Sequence, residues 1–149
     1  MRPSLTRTAC LSLTFLLLAP LTHAVEETPM TIPGGVYVDV DQAKAQFDKG
    51  TLFVDARVPT EYAEKHIKGA LGVVYKELHK KVSTIDPGDE FDLAKLPPDK
   101  AMPIVFYCNG SPCWRGYKAA AASIKAGYSK VYWFRDGIPA WEAKGLQTE

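Results

Sequence analysis

The sequence predicts an α/β fold in which helices flank both faces of a central, mainly parallel sheet. Short apolar segments alternate with helical ones along residues 36–147, and this alternation is typical of parallel sheets. The run Ile104–Tyr107 is continuously apolar, as in strands buried on both faces. The 11 glycines and 11 prolines are spread along the chain, which favours many short elements over a helical bundle.

Composition narrows the functional classes. A chain of 149 residues has the length of one domain. Its 46% apolar and 23% charged residues argue against disorder, collagen and a fully membranous protein. The 18 Lys and Arg nearly balance 17 Asp and Glu, and basic residues form no stripe interleaved with aromatics. We therefore expect no nucleic-acid binding.

Residues 1–24 have the pattern of a secretory signal peptide. Arg2 and Arg7 form a basic region, and Leu11–Leu21 is an apolar core too short to span a bilayer. Thr22–Ala24 offers small residues at both cleavage positions, which predicts a cut after Ala24. The alternative is an N-terminal membrane anchor.

Cleavage would leave 125 residues with 16 Lys and Arg against 17 acids. We expect this mature chain to be periplasmic and without membrane attachment. Residues 25–35, rich in Pro and Gly, are expected to be a flexible leader to a domain over 36–147.

The first half of the domain is predicted as strand, helix, strand, helix, strand. Val36–Val40 is the first strand, and Asp41 caps a helix that Gly50 ends. The next three elements are strand Leu52–Val54, a short helix capped by Thr60, and strand Leu71–Tyr75. Residues 76–103 contain Pro-Gly and Pro-Pro pairs and are expected to be an irregular insertion.

The second half begins with the buried strand Ile104–Tyr107. Ser111 and Pro112 suit the N-cap and first position of a helix that runs to Ala126, with Gly127 as its C-cap. The last elements are strand Val131–Phe134 and helix Pro139–Lys144.

Cys108 is the candidate nucleophile. It lies between the most apolar strand and a helix N-terminus, where ligands bind in parallel sheets and backbone N–H groups attract anions. No Asp or Glu occurs between Cys108 and Asp136, whereas Arg115 and Lys118 lie in the first helical turns. We expect these features to lower the pKa of Cys108, with Lys118 the better solvated cation. The alternative is a buried cysteine that packs as a small apolar residue.

Three motifs in order resemble the rhodanese domain, and the resemblance extends from Val36 to Gln147. The motifs are Phe53–Arg57 with Glu61-Tyr62 and His66–Ala70, then Val105–Gly110 with Tyr117–Ala120, then Gly127-Tyr128 with Val131-Tyr132 and Asp136–Trp141. The resemblance implies a rhodanese-like fold and a sulfurtransferase that carries sulfane sulfur as a persulfide on catalytic Cys108. The sulfur would come from a small anionic donor such as thiosulfate and pass to cyanide or a thiol.

The resemblance also assigns the surrounding residues. The substrate and persulfide loop would comprise Asn109, Gly110, Ser111, Cys113, Trp114 and Arg115, with Lys118 adding charge. Independently of the resemblance, Asp55 and Arg57 follow a strand and are expected to form a buried or loop-edge ion pair with a structural, supporting role. This chemistry needs no cofactor and no metal, and the spacing of the histidines and cysteines matches no compact zinc pattern.

The loop departs from the family pattern Cys-x-x-Gly-x-Arg, because Arg115 lies seven residues after Cys108. Related dual-specificity phosphatases of this fold also have a longer loop that ends in Arg. The longer loop puts thiosulfate in doubt as the natural donor, and phosphatase activity is a less favoured alternative.

Cys113 is a second departure. Once Cys10 leaves with the signal peptide, Cys108 and Cys113 are the remaining cysteines. They could form a local disulfide, Cys113 could resolve a persulfide or sulfenate on Cys108, or it could be inert. A thiol–disulfide or oxyanion-reducing enzyme therefore stays open, as does a non-catalytic module that binds a protein through residues 76–103.

Overall fold

The computed structural model describes residues 26–149, so the predicted signal peptide lies outside the described residues. The strands are β1 (Val36–Val38), β2 (Leu52–Asp55), β3 (Leu71–Gly72), β4 (Tyr75–Lys76), β5 (Glu90–Phe91), β6 (Ile104–Tyr107) and β7 (Val131–Phe134). The helices are α1 (Val40–Asp48), α2 (Pro59–Glu64), α3 (Trp114–Lys125) and α4 (Gly137–Ala143), with a 3₁₀ turn at Leu93–Lys95. No helix within residues 26–149 is long and apolar enough to cross a membrane.

Five strands form one parallel sheet in the order β1-β7-β6-β2-β3. Across its centre, Tyr107 is in register with Asp55 on one side and Phe134 on the other. The segments that follow these three strands therefore emerge at one edge of the sheet. The predicted parallel sheet is confirmed.

Neighbouring strand residues face opposite sides of the sheet, which creates two apolar cores. One core packs against α3 and includes Val54, Phe106, Tyr117, Ala120 and Trp133. The other packs against α1 and α4 and includes Ala43, Phe53, Val105, Phe134 and Trp141. Helices thus cover both faces, as predicted.

Three helices begin earlier than the sequence predicts, and α4 is one of them, since it starts at Gly137 and not at Pro139. Asp39, not Asp41, caps α1: its carboxylate accepts from the Gln42 N–H at 2.8 Å, and the Gln42 side chain accepts from the Asp39 N–H at 3.0 Å. This reciprocal pair satisfies two backbone donors, which Asp41 within the first turn cannot do. The N-cap of α2 is Val58 rather than Thr60, because Pro59 takes the first helical position.

The predicted strand Leu71–Tyr75 is divided between two sheets. Its first part, β3, joins the main sheet, whereas β4 pairs antiparallel with β5 from the insertion. The segment 76–103 is therefore not wholly irregular, since it also contains the 3₁₀ turn.

The leader packs against the domain at two buried residues. Thr28 and Ile32 are buried, and the Thr28 N–H and hydroxyl donate to the Ser111 carbonyl at 2.9 and 2.8 Å. The Arg135 Nε donates to the Thr28 carbonyl at 3.0 Å. Described residues 26–35 thus depart from the expected flexible leader, because this segment supplies hydrogen-bond partners to the loop after Cys108.

Candidate active site

Cys108 lies at the carboxyl end of β6 and is 3% exposed. On one side Gly116 allows α3 to approach, since a β-carbon there would lie 3.2 Å from Cys108 Cβ. On the other side Gly137 adopts φ +60°, and any side chain at that position would collide with the Cys108 carbonyl oxygen. The Ile138 N–H donates to this oxygen at 3.0 Å. Cys108 is therefore held between the starts of α3 and α4.

The loop from Asn109 to Cys113 forms a tight turn before α3. Gly110 takes φ +96°, which suits glycine, and its carbonyl accepts from the Cys113 N–H at 3.0 Å. The N-cap of α3 is Cys113 and its last residue is Lys125. The predicted cap at Ser111 is wrong, because Ser111 and Pro112 belong to the turn.

The same turn carries a disulfide between Cys108 and Cys113, whose Cα atoms are 6.1 Å apart. This separation is normal for a disulfide. Of the roles left open for Cys113, the local disulfide is the one that the structure contains. The low-pKa thiolate expected for Cys108 therefore applies to the reduced protein.

Asp55 and Arg57 form the expected ion pair, and both are buried. The Arg57 guanidinium donates to both Asp55 oxygens, at 2.7 to 3.0 Å, and to the Asn109 side-chain oxygen at 3.3 Å. Burial alone would lower the pKa of Arg57, but the hydrogen bonds and charge of Asp55 outweigh it and raise that pKa. A charged pair below the sheet edge thus anchors the first residue of the loop.

Glu61 of α2 belongs to the first motif, but its contacts with the Cys108 loop and α3 were not predicted from the sequence. Its carboxylate accepts from the Asn109 side-chain amide and, at 3.3 Å, from Arg115. The stretch between Cys108 and Asp136 contains no acid, but the fold brings a carboxylate to it from another motif. The signal was available, since α2 follows β2 and so begins at the same edge as Cys108.

Lys118 differs from its predicted role. It is fully buried, and its Nζ donates to the His79 carbonyl at 2.7 Å and to Asp89 at 3.4 Å, with Glu77 Oε2 at 3.6 Å. It is not the better solvated cation. Within residues 26–149, Glu77 Oε2 is the buried side-chain oxygen that lacks a hydrogen bond, so Lys118 supplies its nearby positive charge.

Asp89 is the centre of this cluster. Burial alone would raise the pKa of Asp89, but hydrogen bonds from the Leu78 N–H, the Tyr75 hydroxyl and the Asp86 N–H, together with the charge of Lys118, lower it. The pKa of Tyr75 is raised by burial and by its hydrogen bond to Asp89. The cluster joins α3 to the insertion.

A cavity of about 510 Å³ opens beside the loop. The residues that line it are Val58, Val74, Tyr75, Lys76, Glu77, Lys80, Lys81, Asn109, Pro112, Cys113, Trp114 and Arg115. Four of them are basic and one is acidic. This balance suits an anionic ligand next to the Cys113 end of the disulfide.

The two histidines within residues 26–149 contact an aromatic ring and a carboxylate. His66 stacks on Tyr62 with ring centroids 3.9 Å apart, and His79 pairs with Asp86 at 3.1 Å. The described part of the chain has no group of three or more His, Cys, Asp or Glu side chains placed to hold a metal.

The model of the family described as "Rhodanese-like domain" matches residues 39–144. The chain belongs to the rhodanese-like family. The match covers all four helices, the Cys108 loop and every strand except β1. The rhodanese-like fold predicted from the three motifs is thus confirmed.

Relatives agree with this assignment. The chain is 27% identical over 125 residues to thiosulfate:glutathione sulfurtransferase of Saccharomyces cerevisiae, covering 83% of this chain and 88% of that protein. It is 33% identical over 95 residues to a sulfurtransferase of Allochromatium vinosum, covering 64% and 75%. The crystal structure of the BH2092 protein from Bacillus halodurans aligns with a TM-score of 0.58 at 26% identity, covering 76% of each chain. Family and relatives together support sulfurtransferase activity in general.

Proposed function

We propose that this rhodanese-like chain transfers sulfane sulfur through a persulfide on reduced Cys108. One observation carries the proposal: Cys108 directly follows the central strand, and the loop after it borders a cavity with four basic side chains. The Cys108 thiolate attacks the outer sulfur of a donor, and the donor's remaining part leaves as an anion. An acceptor thiolate then takes the sulfur from the persulfide.

The donor is a small sulfur oxyanion such as thiosulfate, and the acceptor is a thiol or cyanide. Arg115 lies in the cavity wall and has one carboxylate partner, Glu61, so its guanidinium can bind a donor oxygen. Lys76, Lys80 and Lys81 also line the cavity and add positive potential. The name of the yeast relative, which pairs thiosulfate with a thiol, supports this choice for the present chain.

Kinetics with thiosulfate and cyanide test the assignment of the nucleophile. Every sample carries Cys10→Ser, so that only Cys108 and Cys113 can react, and is reduced beforehand. We expect Cys108→Ser to lose sulfurtransfer while Lys125→Ala, an exposed change on α3, keeps it. Full activity without Cys108 would contradict the proposal.

We also propose that the chain is exported. Support comes from the basic and apolar regions before Ala24, and the disulfide agrees with an oxidising compartment. The expected result is a periplasmic species whose first residue is Val25. A full-length species in the inner membrane would contradict this.

A further inference from the structure

The disulfide defines what Cys113 can reach. Because the two cysteines are bonded, the turn brings Cys113 Sγ into bonding contact with Cys108 Sγ. In a persulfide on Cys108, that same Sγ is the inner of the two sulfurs. The thiol of Cys113 is therefore placed to attack the carrier atom itself.

The two cysteines are unequally exposed. Cys108 is buried between α3 and α4, whereas Cys113 is half-buried and lines the cavity. A thiol that arrives through the cavity meets Cys113 first. Access of this kind decides which sulfur of a disulfide is attacked.

We propose a second activity that rests on the proposed function: Cys113 reduces the persulfide on Cys108 and releases hydrosulfide. The Cys113 thiolate attacks Cys108 Sγ, the bond between Cys108 Sγ and the outer sulfur breaks, and the outer sulfur leaves as HS⁻. The outer sulfur gains two electrons, and the two cysteine sulfurs lose them as they form the disulfide. Thiosulfate is thereby converted into sulfite and hydrosulfide at the expense of two protein thiols.

A dithiol reductant completes the cycle. One of its thiolates attacks Cys113 from the cavity, and Cys108 leaves as a thiolate. The second thiol of the reductant then displaces Cys113. The reductant becomes a disulfide, both cysteines are again reduced, and Cys108 is free to accept another sulfur.

A single turnover tests the reduction step. Protein carrying Cys10→Ser is reduced, freed of reductant and mixed with one equivalent of thiosulfate. We expect one sulfite and one hydrosulfide per chain, and a protein lighter by two hydrogen atoms than the reduced form. Cys113→Ser is expected to release sulfite without hydrosulfide and to gain the mass of one sulfur atom.

The outcomes separate the two proposals. Sulfite without hydrosulfide from the protein with both cysteines would overturn the reduction by Cys113 and leave the sulfurtransferase intact. Hydrosulfide in equal amount from Cys113→Ser would overturn it too. Absence of sulfite would refute sulfur transfer from thiosulfate, and with it the proposed function for this donor. The amounts of sulfite and hydrosulfide that the protein with both cysteines releases decide the question even if Cys113→Ser fails to fold.

A separate experiment tests which cysteine of the disulfide an incoming thiol attacks. Disulfide-bonded protein is treated briefly with glutathione, and freed thiols are blocked with iodoacetamide. Peptide mapping should find glutathione on Cys113 and the alkyl group on Cys108. The reverse assignment would overturn attack through the cavity.

Discussion

Arg115 and Lys118 lie about one turn apart on α3, and in the sequence they are two similar cations near Cys108. The structure separates them. Lys118 has no exposed side-chain surface, and three oxygens from the insertion lie around its Nζ. Arg115 is 19% exposed, contacts one carboxylate at 3.3 Å and lines the cavity.

The difference shows how to tell a structural cation from a functional one. A buried charge must be paired by the protein, and the partners of Lys118 do this by joining the insertion to α3. Arg115 keeps solvent access and a weak partner that an anionic ligand can replace. Closeness in sequence to the nucleophile is a poorer guide than the number of protein acceptors around the charge.

Lys118→Ala should have the largest effect on stability. Removing the cation leaves Glu77 and Asp89 buried without it, and breaking a buried pair costs about 3–5 kcal/mol. Urea denaturation would measure the loss in free energy of unfolding. Exposed Lys125→Ala on the same helix should change it by less than about 0.5 kcal/mol. Equal values for the two variants would remove the distinction between Lys118 and a surface lysine.

Arg115→Ala should affect activity much more than stability. The Arg115–Glu61 pair is partly exposed and long at 3.3 Å, and such a pair contributes about 1 kcal/mol, so stability should change little. A hydrogen bond to a charged ligand contributes about 1.5–3 kcal/mol, so kcat/KM for thiosulfate should fall roughly 10- to 100-fold. Arg115→Lys keeps the charge and should recover part of the rate. Unchanged kinetics in Arg115→Ala would show that this guanidinium does not bind the donor.

Much of the fold could be predicted because its signals are local. The apolar run Ile104–Tyr107 predicts a central strand, and alternation along the chain predicts the parallel sheet. These two features alone place Cys108 at the sheet edge where ligands bind. The motifs that resemble the rhodanese domain identify the same cysteine.

The charges around the site could not be predicted in the same way. Asp89 is 29 residues from Lys118 and Glu61 is 54 from Arg115, so their pairing depends on how the insertion and α2 pack. The leader is a similar case, since Thr28 meets the Ser111 carbonyl 83 residues away. Local patterns contain no information about such contacts.

Glu61→Gln tests whether the Glu61 carboxylate competes with an anionic donor for Arg115. The substitution keeps an oxygen for Asn109 but removes the charge that competes with an anionic donor for Arg115. Because a partly exposed pair is worth about 0.2–1 kcal/mol, kcat/KM for thiosulfate should rise by a factor of about 1.4 to five. The gain should shrink at high salt. Exposed Glu64→Gln on the same helix removes equal charge without this contact, so an equal gain there would indicate net charge instead.

The smallest expected effect is the pH dependence of the stability that the buried cluster around Lys118 contributes. The pKa of Asp89 is lowered from its ordinary value of 3.8 in the folded state, so in acid the unfolded chain binds a proton first. The free energy of unfolding should therefore fall as the pH drops below about 4, and the stabilisation by Asp89 is complete above that value. Asp89→Asn should be less stable at neutral pH but lose less stability between about pH 5 and pH 3.

Exposed Glu27 also has a lowered pKa, chiefly from its hydrogen bond with Arg135, so Glu27→Gln is the matched control. Glu27→Gln could reduce the loss in free energy of unfolding at low pH while Asp89→Asn does not. That result would show that the docked leader, and not the buried cluster around Lys118, causes the loss.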